Sequence, residues 1–209
     1  SSRRARTALA SGPASSMDVP ESIAATLRVV RLLESLGVRY VIGGSFASSI
    51  HGGIRASADA DLVADLEAAH VGPFCRALTH DFYVSENRVR EAVRMGGSFN
   101  VIELKSMFKV DVFVAAGAPF AESQLERGVT QLVWKEPPAS ARIASPEDTV
   151  LAKLDWFRRG GEVSERQWTD VLGVMRVQGE RLDGAYLRRM AAALHVEDLL
   201  ERALEQARA

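Results

Sequence analysis

The sequence predicts an α/β (α+β) fold, a mixed-sheet domain followed by a small helical region, and three stretches carry that prediction. Val38–Ile42 is β-branched and aromatic and runs into Gly43-Gly44, after which Ser45–His51 is made of small residues suited to a tight helix. The order there is strand, glycine turn, helix. Ser98–Leu104 and Phe108–Val114 read as two strands joined by the short Lys105–Met107 connection, the pattern of an antiparallel hairpin. From Ser145 onward the patterning is helical throughout, so the sheet belongs to the earlier part of the chain.

The remaining elements follow in order. Between Pro20 and Leu36 the apolar residues Ile23, Leu27, Val30 and Leu33 fall on one helical face, with Pro20 suited to a first turn and Gly37 to a C-terminal cap. Asp59–Leu66 (DADLVADL) alternates polar and apolar residues as a strand does. Glu67–Leu78 reads as mostly helical, with Gly72-Pro73 the point at which it would break. A short helix near Ala121–Arg127, a strand at Val129–Trp134 and an extended piece at Ala141–Ile143 complete the sheet region. Ser145-Pro146-Glu147-Asp148 combines a capping serine, a first-turn proline and two acids, and announces a helix to about Arg158. Helices at Glu165–Gln178, Asp183–Leu194 and Glu197–Ala207 come after it. The expected organisation is therefore a sheet domain over 17–144 and a helical region over 145–209. Residues 1–16, rich in Ser, Ala and Arg, are read as a disordered lead-in or a remnant preceding a natural start at Met17.

Composition narrows the function. Twenty-six basic and 27 acidic residues leave a net charge of −1, so the chain lacks the overall basic footprint that drives non-specific nucleic-acid binding. Cys75 is the only cysteine, which rules out an internal disulfide, and no Cys/His cluster has zinc-ligand spacing. No stretch approaches the roughly 20 apolar residues of a membrane helix. A cytoplasmic protein without a membrane partner is expected.

The chemistry concentrates in carboxylates. Asp59 and Asp61, two apart on a strand, project from one face, leaving Ala60 and Leu62 to pack the other. Two adjacent carboxylates repel unless exposed, protonated or bridged by a cation, and hard oxygen donors suit magnesium or manganese. Asp111 adds a third acid within an otherwise apolar strand, with Lys109 and Phe113 as its same-face neighbours. Three carboxylates from adjacent strands suit a pair of metals about 4 Å apart, which activates an attacking hydroxyl and neutralises a leaving pyrophosphate. The structural alternative for Asp-x-Asp alone is a solvated strand end. Upstream, Gly43-Gly44-Ser45 lies between strand and helix, where free N–H groups, the helix dipole and a hydroxyl can grip phosphate oxygens.

In this order Gly44-Ser45, thirteen residues, Asp59-Ala60-Asp61-Leu62 and a later Asp111 in a Val-Asp-Val-Phe strand, the sequence resembles the nucleotidyltransferase superfamily related to DNA polymerase β. Its text GGSFASSIHGGIRASADADLV is most similar to the bacterial branch containing AbiEii-type toxins, where Arg55, Ser57 and Asp59 match an Arg-x-Ser/Thr-x-Asp pattern. The likeness spans about 40 to 175, with its specific parts at 42–63 and 108–114. It implies that Gly44 and Ser45 contact the β- and γ-phosphates of a nucleoside triphosphate. It also implies that Asp59, Asp61 and Asp111 ligate magnesium (or manganese), with Asp111 helping to deprotonate the acceptor. The implied reaction transfers a nucleoside monophosphate to an acceptor, which would be a tRNA end, a protein hydroxyl or a small molecule. Toxin-like activity with an antitoxin partner is what the branch suggests. The alternative is a catalytically inactive nucleotide- or partner-binding module of the same fold, against which the intact acid set counts.

Supporting residues have two readings each. Lys153 either reaches the triphosphate, as a basic residue of the post-sheet helices does in the resembled family, or lies on a solvated helix face beside Asp148 and Asp155. Arg55 contacts substrate phosphate or pairs with an acid of the next strand. His51 is read as a structural hydrogen-bonding group that closes its turn. Arg88, Arg90 and Arg94 form a basic stretch that would steer an acidic acceptor or simply face water. Trp156, Phe157 and Trp168 fall on apolar helical stripes and are assigned to packing rather than base stacking. Asp170 sits where related proteins place an acid that pairs with the preceding helix.

Overall fold

A computed structural model of the chain describes residues 19–52 and 59–208. Helix α1 (Glu21–Ser35) buries Leu27, Val30 and Leu33 along the anticipated face, and Gly37, at φ +70°, turns the chain out of it. Strand β1 (Tyr40–Ile42) is buried throughout and leads into α2 (Gly44–Gly52). Strand β2 (Asp59–Ala64) alternates as expected, burying Ala60, Leu62 and Ala64.

Helix α3 (Ala68–Leu78) continues unbroken through Pro73. Proline removes one backbone donor, but Val71, Phe74 and Leu78 from the flanking turns are all buried, and that burial outweighs the lost hydrogen bond. A two-residue strand, β3 (Phe82–Tyr83), and helix α4 (Glu86–Met95) then precede the hairpin. Helix α4 was not anticipated; it is rich in charge and buries only Val89 and Ala92. The arginine stretch lies on this helix, with Arg90 bound to Glu86 at 2.5 Å and Arg88 to Glu91 at 3.6 Å.

Strands β4 (Ser98–Glu103) and β5 (Lys109–Val114) form the anticipated antiparallel hairpin. Helix α5 (Pro119–Arg127), β6 (Val129–Lys135) and β7 (Pro138–Ile143) close the sheet region. Among the described residues, seven strands make one mixed sheet in the order β3-β4-β5-β2-β1-β7-β6, with β2/β5 and β1/β7 parallel. Beyond it run α6 (Pro146–Arg159), capped by Ser145, then α7 (Glu165–Gln178), α8 (Gly184–Leu194) and α9 (Glu197–Arg208). One apolar cluster gathers residues of α1, α3 and the strands; a second gathers Val150, Leu154, Val171, Leu187, Leu199 and others from α6 to α9.

The end of α2 joins these parts. A side chain on Gly52 would meet the backbone of Gly173 and Val174 at 2.5–2.8 Å, so α2 and α7 approach to backbone contact. Beside that crossing, buried His51 donates from Nε2 to the Ala144 carbonyl at 2.8 Å, and Gln178 Nε2 donates to the His51 carbonyl at 2.8 Å. His51 is thus a structural bond.

Burial holds the His51 imidazole below its ordinary pKa, opposed by its bond to Ala144 and by the Glu147 charge. Above about pH 6.5 the ring is neutral folded or unfolded. Below that value the unfolded chain takes up a proton that the folded chain refuses, so stability declines until the folded pKa is reached. Urea midpoints at pH 7.5 and 5.5 are therefore expected to fall further for the wild type than for His51→Gln, which keeps a donor without titrating. Equal falls would contradict this.

Candidate active site

Parallel pairing of β2 with β5 sets Asp61 beside Asp111, Asp59 beside Lys109 and Val63 beside Phe113. Because alternate residues of both strands enter the core, these six form a floor on the opposite face, charged at one end and apolar at the other. Above it is a cavity of about 840 Å³ that Asp59, Asp61 and Asp111 line together with Gly43, Gly44 and Ser45. Asp111 therefore opens toward the cavity and away from the core.

The glycine turn is built around Asp61. The Gly43 N–H donates to the Asp61 carbonyl at 2.8 Å. Gly44 has φ +55°, and a Cβ placed on it would lie 1.7 Å from Asp61 Oδ2. This position excludes every side chain. The turn thereby brings the N-terminal end of α2, the positive end of its dipole, against the acid pair.

Burial, followed by the charges of Asp59 and Asp111, pushes the Asp61 carboxyl up to about 6, while Lys153 and Lys109 pull the other way. Lys109 binds Asp111 at 2.7 Å, and Asn100 Nδ2 donates to the same carboxylate. That bond to Asp111 holds the Lys109 ammonium above its usual pKa, with further help from Asp59 and Asp61. Lys109 thus acts as a cation among the three acids. Among the described residues no group of three or more His, Cys, Asp or Glu side chains is arranged to hold a metal ion. The donors nonetheless fit a hard divalent cation in chemistry: oxygen atoms of mutually repelling carboxylates, one of them largely desolvated.

Lys153 is not on a solvated face. It is buried at the cavity wall and binds Asp170 of α7 at 2.9 Å, so the acid–base pairing of successive helices is present. Arg55 lies outside the described residues. Arg88, Arg90 and Arg94 are absent from the cavity lining, since α4 packs on α3 and β4 instead. Two contributors escaped the sequence reading. Arg166 of α7 brings Nη2 to 3.4 Å from Ser45 Oγ across the cavity. The signal was its four-residue spacing from Asp170, which places both on one helix face. Trp156 is 48% exposed and lines the cavity, in contrast to Phe157, which is buried. Trp156 packs the helical region on the sheet as its stripe implied, against Phe113 of β5, but it stays half-exposed because its side of α6 also meets the cavity.

No protein-family model and no curated protein sequence matches the chain. Its fold is that of nucleotidyltransferases. The structure is similar to an antigenic nucleotidyltransferase-like protein from Paracoccidioides brasiliensis, with a TM-score of 0.54 and 16% identity over 88% of this chain and 93% of that one. It is also similar to ANT(2'')-Ia in complex with adenylyl-2''-tobramycin, with a TM-score of 0.55 and 12% identity over 84% and 98%. The solution structure of ANT(2'')-Ia gives 0.53 and 16% over 84% and 96%. Among the described residues no helix is long and apolar enough to cross a membrane.

Proposed function

We propose that the chain is a metal-assisted nucleotidyltransferase that moves a nucleoside monophosphate from a nucleoside triphosphate to an acceptor hydroxyl. The observation that carries this reading is the meeting, in one cavity of a nucleotidyltransferase fold, of the Gly44-Ser45 turn with Asp59, Asp61 and Asp111. In this reading the sheet region, 17–144, supplies the acids, and the helical region, 145–209, closes the cavity over them.

Gly44 and Ser45, joined by Arg166, hold the β- and γ-phosphates. Arg55 and Lys153 add positive charge toward the same triphosphate, Lys153 from its station beside Asp170. Asp59, Asp61 and Asp111 would hold magnesium or manganese, which supplies charge neutralisation to the α-phosphate and the leaving pyrophosphate. The acceptor oxygen forms a bond to the α-phosphorus as the bond to the bridging oxygen breaks, and the acceptor's proton passes to Asp111.

The test combines labelled nucleoside triphosphates, magnesium and separate pools of RNA, protein and hydroxylated small molecules, with an Asp59→Asn/Asp61→Asn double variant alongside. Transfer of label by the wild type alone is expected, and equal background from both proteins would overturn the proposal in favour of a binding module. Labelled RNA or protein is the outcome that matches a toxin-like role with an antitoxin partner, as the AbiEii-type resemblance implies. Labelled small molecules would exclude that role.

A further inference from the structure

The apolar end of the cavity has no part in the chemistry just described. Two residues beyond Asp111, on the same face of β5, Phe113 meets the Trp156 indole edge-to-face, with ring centroids 5.8 Å apart and planes at 62°. That contact braces the indole, yet Trp156 remains 48% exposed and lines the cavity. Arg159, another residue of the cavity wall, sets its guanidinium 6.0 Å from the indole centroid, far enough that a base stacked on the ring would share that face with a cation. An indole braced by an aromatic neighbour and nearly half exposed beside a cavity is a stacking platform. Val63, Phe120 and Met190 continue the apolar wall around it.

Position identifies the occupant. Phe113 stands about 7 Å along the strand from Asp111, two residues at the usual strand rise. A triphosphate gripped at Ser45 would bring its α-phosphate to the acids, and its nucleoside must leave that point in some direction. The floor offers two choices: the charged Asp59–Lys109 end, or the Val63–Phe113 end where Trp156 waits. A flat heterocycle gains from the second alone. The cavity volume of about 840 Å³ accommodates a whole nucleotide, within the usual range for small-molecule sites.

We infer that Trp156, braced by Phe113, is the platform on which the nucleobase of the triphosphate stacks. The inference rests on the nucleotidyltransferase reading, because the triphosphate anchor fixes where the base must lie. Stacking on the indole favours a purine for its larger surface and sets no hydrogen-bond code.

Calorimetric titration of the full chain with α,β-methylene-ATP and, separately, with inorganic tripolyphosphate tests it, both in magnesium. Loss of an aromatic partner for one base corresponds to about 5- to 150-fold in affinity. Trp156→Ala is therefore expected to weaken α,β-methylene-ATP within that range and leave tripolyphosphate unchanged, while Trp156→Phe recovers most of the loss. Unchanged nucleotide affinity in Trp156→Ala overturns the inference. Equal weakening of both ligands does so too, by showing that the residue only supports the fold. If the wild type binds tripolyphosphate and nucleotide, those outcomes leave the transfer reading standing. If it binds neither, the transfer reading fails and this inference fails with it.

Discussion

Asp61→Asn is expected to remove nucleotidyl transfer while raising the melting temperature of the metal-free protein. The two effects have one origin. Asp61 is largely desolvated, and its charge is opposed by Asp59 and by Asp111, its direct partner across the β2/β5 pairing. Lys109 and Lys153 offset part of that repulsion, but each is already committed to another acid, Lys109 to Asp111 and Lys153 to Asp170. A carboxamide has nearly the same shape and none of the charge, so the strand keeps its packing and loses the repulsion. Relief of about 1 kcal/mol would shift the midpoint upward by roughly 2 to 4 °C in a chain of this size. Activity moves the other way. Removing one preorganised group aimed at transition-state charge typically costs on the order of 10²- to 10³-fold, and an acid proposed to help hold the metal should cost at least that. Magnesium supplies a further readout: it should raise the melting temperature of the wild type, which it binds only when folded, and leave the variant unmoved. A variant that keeps transfer would place the chemistry elsewhere. A lowered melting temperature would show that the Asp61 carboxylate holds the fold together.

The acid set and the turn were legible because both depend on local periodicity. Strand alternation alone sets Asp59 and Asp61 on one face and Lys109, Asp111 and Phe113 on another, and parallel pairing then makes these a single floor. What could not be read was the ceiling. Arg166 reaches the cavity through the crossing of α7 over α2, and that crossing depends on Gly52 meeting the backbone of Gly173 and Val174, more than a hundred residues away in the chain. Trp156 shows the same limit from the other side: a helical stripe identifies an apolar face, but whether that face meets core or cavity depends on what packs opposite. Helix α4 was missed for a different reason: its buried stripe, Val89 and Ala92, is set in a run dominated by charged residues that reads only as a basic stretch. Pro73 was overestimated as a breaker because the burial of its neighbours is a tertiary effect.

Gly44→Ala is expected to be as damaging to activity as loss of Asp61, and to be destabilising where Asp61→Asn is not. At φ +55° an alanine adopts the left-handed region at a cost of about 1 to 2 kcal/mol. Its methyl group would also overlap Asp61, at 1.7 Å from Oδ2, 2.6 Å from Cγ and 2.9 Å from Cβ. No rotation of the methyl relieves this, so either the carboxylate leaves its place between Asp59 and Asp111 or the turn lifts away and takes Ser45 from Arg166. Both movements separate the phosphate grip from the acids. The contact and the backbone strain can be distinguished by a double-mutant cycle. In an Asp61→Ala background Oδ2 and Cγ are gone and only the 2.9 Å approach to Cβ remains, so Gly44→Ala should then cost the backbone term and that residual contact, with a coupling energy on the order of 1 kcal/mol or more relative to the wild-type background. Urea unfolding of the four proteins measures it. If the costs simply add, the turn does not rest on Asp61, and the glycine is required for its backbone conformation alone.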